Sequence, residues 1–263
     1  MRIAAISDIH GNLPALNAVL ADIERQGVDM IVNLGDILSG PLQPAETADL
    51  LMARGLPTIT GNHERQLLAL HARGEAFSPV DSDGYAASQL AGRYWDWLRG
   101  LPAQHRLAPD VLMVHGTPAS DLHYFLETAT PGFGEHGGNG VRPASLEEVR
   151  ERLGAVQASL VLCGHTHTPR AMQCGNTLVV NPGSVGVQAY EWNQPQPHRV
   201  EIGSPHARYA IVERTGAGSW NVQLRALAYD FEPQARLAQE RGRPDWASAL
   251  ATGRMPRAPG SRS

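Results

Sequence analysis

Several short apolar runs in this chain stop abruptly at side chains that carry chemistry. Residues 3–6 (IAAI) lead to Asp8 and His10, residues 30–34 (MIVNL) to Asp36, and residues 58–60 (TIT) to Asn62 and His63. Residues 111–114 (VLMV) lead to His115, and residues 160–162 (LVL) to His165 and His167. Apolar runs this short, bounded by turn residues, read as buried strands. After the first of them Leu13, Leu16, Val19, Leu20 and Ile23 recur at helical spacing, and a second helix is expected over about 45–53. Strands alternating with helices argue for parallel strands with crossover helices, a fold in which ligands gather at the carboxyl ends of the strands. Five strand ends therefore have to converge on one rim. Gly11, Gly35, Gly61, Gly116 and Gly164 accompany them and let the backbone turn sharply or pass close to a ligand.

The remainder of the chain is organised differently. Ala87, Leu90, Tyr94, Trp97, Leu98 and Leu101 predict one amphipathic helix over 83–101, and 132–140 (GFGEHGGNG) reads as a mobile loop. Ser145 and Glu148 form a capping-box pattern opening a helix to about 153. Strands are then expected at 160–162, 178–180, 208–212 and 221–227, a late switch to hairpins that predicts a second sheet packed on the first. One or two short helices follow over 232–252. The expected organisation is a single domain over 1–252, with insertions around 71–110 and 119–143 that would form a cap, and a disordered tail over 253–263.

Composition removes several classes of function. With 42% hydrophobic and 18% charged residues in 263, the chain can bury a core, and broad disorder is excluded. No run approaches the roughly eighteen apolar residues of a membrane span. The opening MRIAAISDIHG carries an acid at Asp8 and reads as a first strand rather than a signal peptide, so the cytoplasm is the expected location. Two cysteines, Cys163 and Cys174, are too few for a disulfide framework. A net charge of −4 gives no basic footprint, so a small phosphate ester or nucleotide is favoured over nucleic acid as the partner. Nothing in the pattern speaks to oligomeric state.

Taken singly, Asp8 could cap a helix, Asp36 could sit in a turn, and any one histidine could be a surface group. Taken together, Asp8, Asp36, Asn62, His10, His115, His165 and His167 are a mixed oxygen and nitrogen donor set without thiolate. Such a set suits Mn, Fe, Ni, Co or Zn and does not suit a structural zinc cage. Seven donors are too many for one ion, whereas two ions about 3.5–4 Å apart sharing a carboxylate are a recurrent device for hydrolysing phosphate esters.

The ordered set SDIHGN, LGDI, TGNHE, VHG, GHTH and NPGS resembles the calcineurin-like metallophosphoesterase superfamily, in particular its small bacterial phosphodiesterase branch, from residue 3 to about 229. The resemblance implies an α/β four-layer αββα sandwich of two mixed sheets flanked by helices. It implies a dinuclear metal-dependent phosphoester hydrolase in which a metal-bridging hydroxide attacks phosphorus. Asp8, His10 and His167 would hold the first metal, Asp36 would bridge, and Asn62, His115 and His165 would complete the second, with Mn the foremost ion. His63 would contact the phosphate and protonate the leaving group. Cys163 and the NPG turn at 181–183 read as structural. The GHTH histidines would alternate as strand side chains do, each facing a different ion.

Departures from the family bear on substrate. After GD this chain reads ILSG, without the acid and arginine pair of the protein phosphatases and symmetrical dinucleoside tetraphosphatases. Losing a guanidinium clamp favours a diester, which carries less charge, over a monoester. Asn12 and Arg65 are expected to touch substrate, and Arg142 and His136 flank the glycine-rich loop as further contacts. An insertion over 187–206 carries Tyr190 and Trp192, rings on which a nucleobase could stack. The alternatives are a phosphomonoesterase acting on nucleotides or proteins, a nuclease, and a non-catalytic interaction module on the same scaffold. Retention of every ligand position argues against the last.

Overall fold

Alternate side chains of the first strand bury on opposite sides, which makes this sheet the middle of something rather than an outer layer. The structure, a computed structural model, describes residues 1–74, 77, 78, 80–216 and 218–257. In β1 (Arg2–Ile6), Ala4 and Ile6 join one buried cluster, whereas Ile3 and Ala5 join another, as the period-two geometry of a strand requires. α1 (Leu13–Glu24) starts where the Asn12 side chain accepts the Ala15 N–H. β2 (Met30–Asn33) then pairs parallel to β1.

α2 (Pro44–Arg54) ends at Gly55 in the left-handed conformation. α3 (Asn62–Arg73), α4 (Ser82–Gln89) and α5 (Gly92–Gly100) follow. The strand expected at 58–60 shrinks to a single bridge, Thr58 with Asn33, because the chain turns at once into α3. The single helix expected over 83–101 is two helices. Leu90 (φ −94°, ψ 125°) and Ala91 (φ −89°, ψ 172°) are extended, which lets Ala86 and Ala87 of α4 and Tyr94, Trp95 and Leu98 of α5 reach the same apolar cluster.

The second half supplies β3 (His105–Ala108), β4 (Val111–Met113), β5 (Glu127–Ala129), β6 (Val141–Pro143) and α6 (Leu146–Leu153). Ser145 and Glu148 make the expected reciprocal cap on α6. Then come β7 (Leu160–Leu162), β8 (Arg170–Cys174), β9 (Thr177–Asn181), β10 (Ala189–Trp192), β11 (His198–Glu201), β12 (Ala207–Arg214), β13 (Trp220–Leu227), α7 (Glu232–Glu240) and α8 (Pro244–Thr252).

One sheet runs β13-β12-β1-β2 and the other β3-β4-β7-β9-β8, each mixing parallel and antiparallel pairs. Ile3, Ala5, Val32, Val111, Met113, Leu160, Leu162 and Val212 fill the space between the sheets. The far side of the first sheet packs on α1 and α2, and the far side of the second on α6, where Val161, Cys163 and Val179 meet Val149 and Leu153. This is a four-layer αββα sandwich. Two hairpins, β5-β6 and β10-β11, stand outside the main sheets. Among the described residues no helix is long and apolar enough to cross a membrane. Of the segment expected as a tail from 253, Gly253 closes α8 and the Met255 N–H donates to Glu201, while 258–263 lie outside the described residues.

The two sheets are clasped at one end by charge. Arg214, at the end of β12, donates twice to Asp110, just before β4 (2.9 and 2.8 Å), and Ser159 donates to the same carboxylate. These bonds, Arg214 first, hold the Asp110 carboxyl at about 2, below its ordinary 3.8. A depressed carboxylate pKa contributes stability that is complete above the ordinary value and is lost as pH falls through the depressed one. Urea midpoints of the wild type and Asp110→Asn should therefore differ most above pH 3.8 and converge as pH falls towards 2; a constant difference across that window contradicts the clasp.

Candidate metal centre

The strand ends do converge, and the backbone is strained where they do. Among the described residues six non-glycines have positive φ, and five of these are Asp8 (54°), His10 (52°), Asp36 (54°), His165 (70°) and His167 (55°). The left-handed region costs a non-glycine roughly 1–2 kcal/mol, and such outliers cluster at functional sites. The sixth, His136 (49°), sits in a short 3-10 turn of the glycine-rich loop. β7 ends at Leu162, so His165 and His167 do not alternate as strand side chains. They occupy a bend, and their left-handed backbones, not a pleat, turn them to different neighbours.

Hydrogen bonds between loops maintain the strain. The N–H groups of Asp8, His10 and Gly11 donate to the carbonyls of Gly35, Asp36 and Ile37. Glu64, fully buried, accepts from the N–H of Asp36, Ile37 and Gly61 at 2.8 Å each. Several glycines here pack so closely that a side chain could enter only by displacing a neighbour; a Cβ on Gly186 would lie 1.8 Å from the Ile9 carbonyl oxygen and one on Gly35 2.3 Å from Gly61 N. A Cβ on Gly61 would lie 2.1 Å from Asp36 Oδ1, and one on Gly164 would lie 2.0 Å from Ser7 Oγ.

The donors fall into two groups, Asp8 with His10 and His167, and Asp36 with His115 and His165, the ligand atoms of each lying within 4.8 Å of one another. Bonds from the ring nitrogens to backbone carbonyls fix which nitrogen faces inward. His10, His115 and His167 each place Nδ1 2.8 Å from a backbone carbonyl, of Ser39, Leu34 and Val187 respectively. A carbonyl only accepts, so each Nδ1 carries the proton and each Nε2 presents a lone pair. His165 is reversed, its Nε2 lying 3.1 Å from the Leu122 carbonyl. The consequence is a confrontation of acceptors. His10 Nε2 faces His167 Nε2 at 3.2 Å, two lone pairs with no proton between them, whereas His115 Nε2 lies 3.2 Å from Asn62 Oδ1 and 3.1 Å from Asp36 Oδ2, a place that a metal cation or the proton of an imidazolium can fill. Lone pairs held nose to nose in a buried site call for cations between them, and an all-oxygen-and-nitrogen donor set suits divalent transition ions.

Electrostatics tell the same story. Burial pushes His10 down to about 4 and His165 to about 3, and holds His167 well below its ordinary value, the neutral form a metal requires. Burial lifts the Asp8 carboxyl to about 7. At His115 the lowering effect of burial is overcome by the Asp36 carboxylate, which raises the imidazole to about 10. In turn Asp36 is held well below its ordinary range despite burial, chiefly by His115. This second group is a place where positive charge is held tightly.

Beside both groups stands His63. Its N–H donates to Asp36 Oδ1 (3.0 Å), its ring packs edge-on to His10 at 5.5 Å, and its Nδ1 lies 2.9 Å from Asp83 of α4. Burial would lower His63, but Asp36 and Asp83 raise it to about 9. A cavity of about 600 Å³ opens over His10, Asp36, Asn62, His63, His165 and His167.

The expected substrate contacts fare differently. Asn12 is fully buried and spends its side chain on the Ala15 N–H, the Gly186 carbonyl and Tyr229 Oη, so it is a cap and a tie and cannot reach substrate. Arg65 is clamped to Asp121 by two bonds and lies outside the lining of this cavity. Arg142 makes a paired bond to Glu148, and neither it nor His136 lines the cavity. Tyr190 and Trp192 do line it, on β10, together with Trp246 and Arg243 at the start of α8. Glu64, Asp83, Tyr124, Arg243 and Trp246 were not expected. Only Glu64 left a trace in the sequence, as the acid closing TGNHE.

Comparisons with known proteins bear on the family and the fold. A family model described as the calcineurin-like phosphoesterase superfamily domain matches residues 1–200. Over 199 residues the chain is 26% identical to phosphodiesterase YfcE of Escherichia coli, covering 71% of this chain and 80% of that protein. It is 32% identical over 116 residues to a symmetrical bis(5'-nucleosyl)-tetraphosphatase of Shewanella loihica, 42% of each chain. It spans only 27% of an uncharacterized protein of Methanocaldococcus jannaschii, at 46% identity over 66 residues. The crystal structure of a metallophosphoesterase from Sphaerobacter thermophilus superposes with a TM-score of 0.72 at 26% identity, covering 97% of this chain and 100% of that one.

Gly61→Ala should keep the fold, by far-ultraviolet circular dichroism, and lose bound metal by elemental analysis, because its methyl group displaces Asp36. His165→Ala and His167→Ala should each lower the metal content. Thr166→Ser should not, since a serine hydroxyl can still donate to Glu127 and accept from Asn181. Full metal content in Gly61→Ala would contradict the assignment.

Proposed function

The chain belongs to the calcineurin-like phosphoesterase superfamily, and on that premise we propose that it is a metal-dependent phosphoric ester hydrolase that prefers diesters. The convergence of the two donor groups, with the facing lone pairs of His10 and His167 in the first, is the observation that carries this reading, because Asp8, His10 and His167 would suit one divalent ion and Asp36, His115 and His165 a second, Mn foremost. Ions held there would supply Lewis acidity towards the phosphoryl oxygens and an activated water nucleophile. The residues of the chain supply the rest. His10, His115 and His167 are held in the ligating tautomer by their carbonyl partners, and Asp36 is held rigid by the Glu64 bonds to its loop. His63, with Nδ1 engaged by Asp83, offers its other nitrogen to the cavity and carries a proton at neutral pH that it can give to the leaving oxygen.

Charge around the cavity supports the diester preference. Beyond Asp36, its described lining includes the carboxylates Asp81, Asp83, Glu191 and Asp245, against one guanidinium, Arg243, which is itself bonded twice to Asp245. Away from the ions, whose charge attracts any phosphate, these carboxylates would face the added negative charge of a polyphosphate or monoester but only the neutral second alcohol of a diester. The Escherichia coli relative carries the name phosphodiesterase. The Shewanella relative is named a tetraphosphatase, and beyond the candidate metal centre this lining offers a single guanidinium, Arg243, to the further phosphates of such a substrate.

With Mn supplied, bis(4-nitrophenyl) phosphate should be cleaved faster than 4-nitrophenyl phosphate; the reverse order would overturn the diester reading. Asp83→Asn should retain bound metal and lower kcat by about tenfold, within the range of general acid catalysis. A general acid works while protonated, so activity falls as pH rises through its pKa. Asp83 is part of what raises His63 from 6.5 to about 9, so Asp83→Asn should move the alkaline limb of the rate profile to lower pH.

A further inference from the structure

The β10-β11 hairpin carries a hydrogen-bond chain that the metal chemistry does not use. His198 is 1% exposed, and its Nδ1 lies 2.7 Å from the Gln196 carbonyl. That carbonyl only accepts, so Nδ1 bears the proton, and the Nε2 of the neutral ring is an acceptor. Neither partner of the ring is an anion that would hold an imidazolium. Tyr124 Oη lies 2.7 Å from Nε2 and must donate its one proton there. Tyr190 Oη lies 2.7 Å from Tyr124 Oη, and with the Tyr124 proton committed, Tyr190 must be the donor in that pair. The polarity of the whole chain is thereby set by one backbone carbonyl. Its head, the Tyr190 oxygen, has lone pairs to offer and no proton. Tyr190 lines the cavity with its ring 4.9 Å from that of His167, beside the candidate metal centre.

We propose that the Tyr190 oxygen accepts a hydrogen bond from a hydroxyl on the alcohol portion of the substrate, so that the site selects diesters of polyols, glycerol-like or ribose-like, over diesters of simple alkanols. The proposal rests on the phosphodiesterase reading and sharpens it. A phenol that could turn its proton either way would serve a donor or an acceptor equally. This one repels phosphoryl oxygens, carboxylates and ether oxygens, all of which only accept, and it rewards a donor. A substrate with a second phosphate near the first would present acceptors where a donor is wanted. One hydrogen bond at a half-buried wall is worth about tenfold in selectivity.

The test uses three 4-nitrophenyl phosphodiesters with the same leaving group, whose second alcohol is glycerol, propan-1-ol or 2-methoxyethanol, on the Mn-loaded full chain. The wild type should show about tenfold higher kcat/KM for the glyceryl ester than for the propyl ester, with the methoxyethyl ester no better than the propyl one. Tyr190→Phe should bring the glyceryl-to-propyl ratio close to one. Tyr124→Phe frees the Tyr190 proton and should raise the methoxyethyl ester relative to the propyl one. A wild-type ratio near one, or a methoxyethyl ester handled as well as the glyceryl one, overturns the proposal. If no diester is cleaved the hydrolase reading falls, and calorimetric binding of glycerol phosphate against propyl phosphate then decides the Tyr190 assignment by the same ratio.

Discussion

The site depends on one buried carboxylate that touches neither the candidate ligand atoms nor the cavity. Glu64 accepts three backbone N–H groups, two from the loop after β2 and one from the turn that opens α3. It thereby locks together the segments that carry Asp36 and Asn62. A charge buried at 0% exposure is costly unless its lone pairs are used. Here their use fixes a strained backbone, with Asp36 left-handed and Gly61 so close that a Cβ there would have to displace the Asp36 carboxylate. The same economy recurs at His10, His115 and His167, whose carbonyl partners choose the tautomer before any ion arrives.

Rigid mounts explain why strain can persist at five candidate ligands at once. β1, β4 and β7 are buried on both faces in a sandwich whose inter-sheet space is filled by branched aliphatic side chains. Such cores resist small displacements, so loops at their ends can be held in costly conformations. Acceptors brought together by the fold, as His10 Nε2 and His167 Nε2 are at 3.2 Å, are what preorganisation for a cation looks like, because the cost of arranging them is met by the surrounding structure.

The walls of the cavity have another origin. The family match ends at residue 200, yet Arg243, Asp245 and Trp246 at the start of α8 and Met255 beyond it line the space above the centre. Asp83, which orients His63, comes from α4, and Tyr190 comes from a hairpin tied to the rest through Tyr124 and His198. The candidate donors thus come from the strand ends, and the walls above them from helices and a hairpin elsewhere in the chain.

The centre was legible in the sequence because each donor follows an apolar run, and a strand can only deliver its end to the rim that its neighbours share. The four layers were legible for a similar reason, since strands apolar on both faces must be covered on both faces. Other features had no local signature. The break of 83–101 at Leu90 depends on where two helices find apolar partners, and the commitment of Asn12 to Gly186 and Tyr229 depends on residues more than 170 positions away. The left-handed turn of His165 and His167, the pairing of His63 with Asp83, and the direction of the Tyr190 chain exist only once distant segments meet. Sequence by itself determined which atoms could bind a metal, through residue type and strand-end position. Tertiary structure alone decided which way each lone pair points, because that is set by hydrogen bonds between segments that are neighbours in space and strangers along the chain.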